Sequence, residues 1–518
     1  MRQQGEFPRS AYLGTSARFV VAALLVIVLT AGATATAGLL NVQSFVDDLK
    51  SGGTIRNLGN TITRAEVGKP RTMLLIGSDH RFGDPGTDAR SDTMILLRID
   101  PDAPATTVLS IPRDLRVTFR DRRGNLYSSS KINNTYTYGG EALTAKVIRD
   151  KFGIEINDVV NINFRGFTRV IDAIGCVYVD VDHRYYHSNA GAVEQYSEID
   201  LMPGYQLMCG ERALSYVRYR HLDTDLVRSA RQQDFLRELR GQYGTDDFIN
   251  DPHKLTKVLG NHIQADKNLL TVSSLIDLGK QIVFSAGKPI QQIAMDPIYD
   301  RDLVTGESFV ESTPAEIARV RHEFLHPVAA PKPPARAKPK PGKRKGRGRG
   351  RAAAPPATAT GNDGLYDMLE SGRAQAQQMG KVRIPVYVPR WLPSATGYMV
   401  DLFNEGGYPH KYRMHAADGK MKAAYRLVVD ISTEATPGNY VGVQGLAWTD
   451  PPILANPSSD HRTINGRRLD LYYNGKKLQL VACRTPRAVY WISNSLQDLL
   501  SNEQMLRMAG SLTRVGGQ

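Results

Sequence analysis

Four residues between positions 218 and 232 carry the strongest chemical signal in this chain: Arg218, Arg220, Arg228 and Gln232. The stretch 225–240, DLVRSARQQDFLRELR, has helical period, and Arg228, Gln232, Phe235 and Leu239 fall within a stripe about 60° wide. That stripe is polar at its N-terminal end and apolar beyond it, the pattern of a buried helix whose first turn faces a cavity. Arg218 and Arg220 stand two apart on a segment that reads as extended, so both point the same way. Guanidinium groups gathered beside a helix N-terminus suit a phosphate or pyrophosphate, which they grip with paired hydrogen bonds. The alternative is a surface helix whose arginines are solvated and paired with Asp225 and Asp234.

A second group of polar residues stands at the ends of apolar runs. Residues 72–77 (TMLLIG) read as a buried strand delivering Asp79, and Arg90 and Asp92 lead into a second one, TMILLRID. TVLSI at 107–111 is a third, followed by Arg113 and Asp114. Ends of strands in α/β sheets are where ligands collect. Asp79 and Asp92, on neighbouring strands, have the chemistry to share one hard cation such as Mg2+. Arginines, Mg2+ and an apolar interior together suit an amphiphilic pyrophosphate, whose phosphoryl transfer needs charge neutralisation and alignment rather than covalent catalysis.

The elements that would position these groups alternate between strand and helix. Helical period is present at 141–152, 164–174, 211–217, 255–263, 272–284 and 314–324, with strands at 158–162 and 177–181 and an entry segment at 199–205. The reading is a mixed α/β domain over 71–326, a central sheet with flanking helices. Residues 41–70 read as a polar stalk, and residues 327–364, rich in Pro, Ala, Gly, Lys and Arg, as a disordered linker. Residues 365–518 read as a separate, smaller α+β domain. Its alternating segments at 425–431, 440–445, 468–473 and 489–493 are strands, and 502–512 is a helix. Trp391, Trp448 and Trp491 read as core rather than as ligand platforms.

The formal charge is +14, but residues 331–351 hold ten Lys and Arg and no acid; subtracting those ten leaves about +4 for the rest. The basic excess is therefore a property of the linker, and no nucleic-acid partner is expected of the folded parts. Residues 19–40 carry no charge, a length that spans a bilayer; Arg2, Arg9 and Arg18 precede them, and Asp47 and Asp48 follow. This predicts a single-pass plasma-membrane anchor with residues 1–18 in the cytoplasm and the bulk of the chain outside. A cleaved signal peptide ending near Ala35 or Ala37 is the alternative, and it exports the chain equally. Of the three cysteines, Cys176 and Cys209 have the option to pair within one domain, leaving Cys483 unpaired; spacing alone does not show this, and buried free thiols are the default.

Eight segments resemble the LytR–CpsA–Psr family of cell-wall glycopolymer ligases. They are GSDHR (77–81), ARSDTMILL (89–97), SIPRD (110–114), KINNTY (131–136), FRGF (164–167), IDAIG (171–175), IDLMPGYQLMCGERALSYVRYR (199–220) and DLVRSARQQDFL (225–236). Order and spacing agree over about 71–243. The resemblance implies transfer of a glycopolymer, such as an anionic wall polymer, from a polyprenyl-pyrophosphate carrier to a peptidoglycan hydroxyl, with phosphodiester formation. It implies Asp79 and Asp92 as Mg2+ ligands, with Arg90 and Arg113 stabilising charge. Arg113, Arg218, Arg220, Arg228 and Gln232 would bind the pyrophosphate, and the lipid tail would lie between sheet and helices. The competing readings are a lipid pyrophosphatase using the same residues, a lipid- or polymer-binding protein without turnover, and a regulator acting through the basic linker.

Overall fold

The computed structural model describes residues 46–78, 91–190, 198–219, 224–242, 263–329 and 364–517, apart from 48, 286–287, 297, 302–305, 395, 401–407, 435 and 457. The first half of the chain is built on strands β1 (Thr54–Ile55), β2 (Arg71–Ser78), β3 (Ser91–Ile99) and β4 (Thr106–Ser110), helix α1 (Asn134–Phe152), and strand β5 (Asp158–Asn163). Helix α2 (Phe164–Ile174), the antiparallel pair β6 (Val177–Val181) and β7 (Gly204–Met208), and helices α3 (Gly210–Arg218) and α4 (Asp225–Gln242) follow. Strand β8 (Ile263–Asp266), helix α5 (Val272–Ser285), strand β9 (Ile290–Ile293) and helix α6 (Pro314–Leu325) come next. Three further short two-stranded pairs, Arg116–Arg120 with Leu126–Lys131, Tyr185–His187 with Ile199–Leu201 and Ile298–Arg301 with Ser308–Glu311, lie outside the main sheet.

Seven of these strands form one sheet in the order β1-β8-β5-β2-β3-β4-β9. The sheet is mixed: β2 runs parallel to β5 but antiparallel to β3. Alternate residues of β2 enter opposite cores. Leu74 and Ile76 pack with Ile148, Phe152 and Phe324 of α1 and α6, and Met73 and Leu75 pack with the face covered by α2 to α5. A buried ion pair fixes the far end of the sheet: Arg71 donates to both carboxylate oxygens of Asp158, at 2.5 and 2.8 Å.

The second half forms its own core around helix α7 (Leu369–Met379) and strands β10 (His410–His415), β11 (Met421–Asp430), β12 (Tyr440–Leu446), β13 (Asp460–Ile464), β14 (Arg467–Asn474), β15 (Lys477–Arg484) and β16 (Val489–Ser493). The sheet is antiparallel throughout, in the order β10-β11-β12-β16-β15-β14-β13. Helix α8 (Asn502–Gly510) begins with a capping box, Ser501 and Gln504 satisfying each other's backbone N–H.

Several expectations are corrected. Residues 49–62 are not a free stalk: Leu49, Ile55, Leu58 and Ile62 are buried, and β1 pairs with β8 at the sheet edge. Arg218 is not on an extended segment but is the last residue of α3. Ile263 opens a strand rather than closing a helix, and 251–262 lie outside the described residues. The C-terminal domain has its own sheet but is not set apart: Tyr205 shares a core with Met414, Leu446, Leu480 and Trp491, and Trp448 packs against it. Across the seam Arg426 donates to both oxygens of Asp180, at 2.9 and 3.1 Å, and the Trp491 indole donates to the same carboxylate at 3.2 Å. Trp391 alone of the three tryptophans lies in neither core; the Arg507 guanidinium stands 4.5 Å from its ring.

The proposed anchor at 19–40 and most of the basic linker, 330–363, lie outside the described residues. Among the described residues no helix is long and apolar enough to cross a membrane.

Candidate functional site

Strand register brings the ends of β2, β4 and β5 and the start of β3 together at one edge of the first sheet. Gly77 pairs with Thr93, Ser78 pairs with Asn163, and Ile111 N donates to Met94 O, so β2, β4 and β5 end where β3 begins. Asp92 therefore stands at that edge on β3, although its side chain lies outside the described residues. Asp79, Arg90 and Arg220 also lie outside them. Arg113 sits in the turn after β4; its Nε is 3.6 Å from Asp114 Oδ2, and Lys131 Nζ is 3.1 Å from Asp114 Oδ1.

Helix α4 rises beside the same edge. Thr224 Oγ1 accepts from Val227 N, satisfying one of the orphan donors of its first turn. The four stripe residues are all buried: Arg228 3%, Gln232 6%, Phe235 1% and Leu239 0% exposed. The surface-helix alternative fails on this observation. The helix has no exposed face to speak of, because the first sheet, α3 and the C-terminal turn Pro452–Leu454 all pack on it. Its two neighbouring glutamines are held by fixed partners. Gln232 Nε2 donates to Thr93 Oγ1 at 2.9 Å and to Val217 O at 3.1 Å, and Gln233 donates to Ile293 O.

Between sheet and helices lies a cavity of about 770 Å³, its open mouth included. Leu75, Ile95, Val160 and Ile162 form its floor, and Phe164, Phe167, Val217, Phe235 and Leu236 its walls. Arg218 and Gln232 also line it, with the Arg218 guanidinium 3.9 Å above the Phe164 ring. The lining is mostly apolar, with Thr93, Asn163, Arg218 and Gln232 as its polar side chains, the form of a site for an amphiphile with a hydrocarbon body and an anionic head.

Helix α2 supplies the phenylalanines because Asn163 caps it: its side-chain oxygen accepts from Gly166 N at 2.7 Å. Helix α2 ends at Gly175 in the left-handed conformation, and the next residue, Cys176, forms a disulfide with Cys209 at the start of α3. The cystine thereby ties the end of α2 to the helix that carries Arg218. Asp172 stands near both sulfurs, but a disulfide has no thiolate to offer, so this cluster does not fit a metal.

Sequence reasoning passed over Thr93, Phe164 and Arg231. The first directly follows Asp92, and the second opens FRGF; the signal was present in both motifs. Arg231 lies about 40° outside the stripe and stood out in no pattern.

Residues 44–323 match the model of the LytR_cpsA_psr family. Among curated relatives, the polyisoprenyl-teichoic acid–peptidoglycan teichoic acid transferase TagU of Oceanobacillus iheyensis is 31% identical over 212 residues, 39% of this chain and 61% of the relative. The corresponding transferase TagV of Bacillus subtilis is 30% identical over 222 residues, 42% of this chain and 55% of the relative. The chain thus spans between one half and two thirds of these relatives. The crystal structure of B. subtilis TagV aligns with a TM-score of 0.40 at 24% identity, covering 50% of this chain and 97% of that one. With the family's pattern running through more than half of its 518 residues, the chain belongs to the LytR_cpsA_psr family.

Proposed function

We propose that this protein transfers a polyprenyl-pyrophosphate-linked glycopolymer onto peptidoglycan. The observation that carries the reading is the apolar cavity with Arg218 and Gln232 in its lining, opening beside the strand edge where Asp92 and Arg113 stand. Its relatives' names, teichoic acid transferases, support the same substrate class.

The reaction asks little covalent work of the protein. An acceptor hydroxyl oxygen attacks the sugar-linked phosphorus, the phosphoanhydride bond breaks, and polyprenyl phosphate leaves with the bonding electrons. The hydroxyl proton passes to a base, for which Asp92 is the candidate. Arg113, Arg218, Arg220 and Arg228 would hold the pyrophosphate oxygens and offset the charge that develops on the leaving phosphate. The hydrocarbon tail would occupy the slot between β2, β3 and β5 and the aromatic walls of α2 and α4. Mg2+ held by Asp79 and Asp92 is part of the proposal, on the chemistry of two carboxylates; bound there it would neutralise pyrophosphate charge. The stretch 19–40 is proposed to anchor the chain so that the site meets its lipid at the membrane surface.

The test uses the full chain in detergent with a polyprenyl-pyrophosphate-linked oligosaccharide and Mg2+. Release of polyprenyl phosphate is followed with and without a peptidoglycan oligomer, with Asp92→Ala and a Mg2+-chelated sample as controls. Release that requires the acceptor and vanishes in both controls is expected. Release indifferent to acceptor would make the protein a pyrophosphatase, and binding without release a carrier of lipid.

A further inference from the structure

Three carbonyls where the chain leaves α3 are held from α4. Helix α3 ends at Arg218, and its last four carbonyls have no partner within the helix. Arg231 Nη1 donates to Tyr216 O at 3.1 Å and to Tyr219 O at 2.8 Å, while Gln232 Nε2 takes Val217 O. The segment that places Arg218 over Phe164, and that leads on to Arg220, is thus fastened by neighbouring residues of another helix.

Arg231 is itself enclosed. It is 0% exposed, and its guanidinium carbon lies 4.5, 5.5 and 5.7 Å from the rings of Tyr185, Tyr216 and Tyr219. Its Nε donates to the Tyr185 hydroxyl at 3.1 Å, which donates in turn to Asp182 Oδ1 at 2.6 Å. Asp182 Oδ2 lies 3.3 Å from His183 Nδ1, and the His183 ring stacks on Tyr440 of the C-terminal sheet with centroids 4.0 Å apart. A buried guanidinium with a buried carboxylate two hydrogen bonds away is costly to assemble unless its geometry is used.

We propose that Arg231 is a positioning residue for the anion clamp, and that the C-terminal domain supports its cage from behind through Tyr440, which stacks on the His183 that packs against Tyr185. The inference rests on the pyrophosphate-binding reading of the cavity, not on transfer itself. Arg231 does not touch substrate; it fixes the angle at which the chain leaves α3, and with it the Arg218 guanidinium over Phe164. Lysine at 231 keeps the charge but loses the planar fork that spans two carbonyls and a hydroxyl at once.

The test compares binding of farnesyl pyrophosphate and farnesol to the full chain, wild type against Arg231→Lys, alongside thermal unfolding. Displacing the clamp by about an ångström is expected to weaken the pyrophosphate about 10- to 100-fold, while farnesol binding stays within about threefold. Tyr440→Leu is expected to shift the same ratio in the same direction by a smaller factor. A merely structural Arg231 would weaken both ligands together, in proportion to the unfolded fraction, and that would overturn the proposal. So would an Arg231→Lys protein that keeps the wild-type ratio. If the lysine variant loses the ratio as expected but the wild type shows no turnover, the transfer reading falls and the positioning role stands. For a lysine variant too unstable to assay, Asp182→Asn removes the counter-charge behind Tyr185 and is held to the same criterion.

Discussion

Removing Arg426 tests whether the C-terminal domain is fastened where the structure shows it. Arg426 is 1% exposed and its Nη1 donates to both oxygens of Asp180, which also accepts from the Trp491 indole. In Arg426→Ala the Asp180 carboxylate stays buried without its cation, which costs about 3–5 kcal/mol for pairs of this kind. The surviving indole bond, a charge-assisted one, keeps the loss toward the lower figure. At roughly 2–4 °C per kcal/mol for a domain of this size, the C-terminal unfolding transition should fall by about 6–12 °C. Differential scanning calorimetry reads that shift directly. The companion Asp180→Asn/Arg426→Met removes both charges yet leaves an oxygen for the indole, so it should recover at least half of the loss. A single variant costing under about 1 kcal/mol would refute the reasoning, as would a double variant no better than the single.

Other consequences follow from the same seam and from the helices beneath it. Gly442→Ala should destabilise as strongly as Arg426→Ala, because a Cβ at 442 would overlap the Arg426 guanidinium; calorimetry of the two side by side checks this. Burial raises the Glu238 carboxyl to about 7 and Asp498 to about 6, and raises Asp234 as well, with Arg237 opposing in each case. Carboxyls whose folded values lie above the unfolded ones take up protons on folding, so their contribution is full at low pH and lost as pH rises toward 7. Glu238→Gln should therefore be more stabilised relative to wild type at pH 8 than at pH 5, and an unchanged difference would sink the assignment. Replacing both Cys176 and Cys209 by serine opens a link across 33 positions and should cost about 3–4 kcal/mol, measurable by urea denaturation.

Local periodicity made much of the fold legible. Strands such as 72–77 and helices such as 164–174 announced themselves because their period is set by burial on one face or two. Residues 49–62 were misread for the same reason: their buried side chains follow no period, and the two residues of β1 gain their place only by pairing with β8, more than 200 positions on. Arg218 was placed on a strand because the extended residue is its neighbour, Tyr219, one position past the helix. The docked C-terminal domain had no local signal at all, since Asp180 and Arg426 are separated by 246 positions.

Helix α4 shows what this means for the site. Its sequence is too polar for a core helix and too apolar in its stripe for a surface one, and composition alone leaves both readings standing. Three faces resolve the conflict. Gln232, Phe235 and Leu236 meet the cavity; Arg231 meets the end of α3; Asp234, Arg237 and Glu238 lie toward the seam, where the charges of Asp180 and Asp498 reach them. Residues that line the cavity, residues that hold the end of α3 and residues that face the seam are interleaved at steps of three and four along one rigid helix. A change on the docking face therefore has a short mechanical route to the clamp: displacing α4 by a fraction of its 5.4 Å pitch moves Arg231, and with it the carbonyls on either side of Arg218. Arg426→Ala should accordingly weaken farnesyl pyrophosphate more than farnesol in the molecules that remain folded. Equal weakening of the two would show that the seam stabilises the chain without reaching the site.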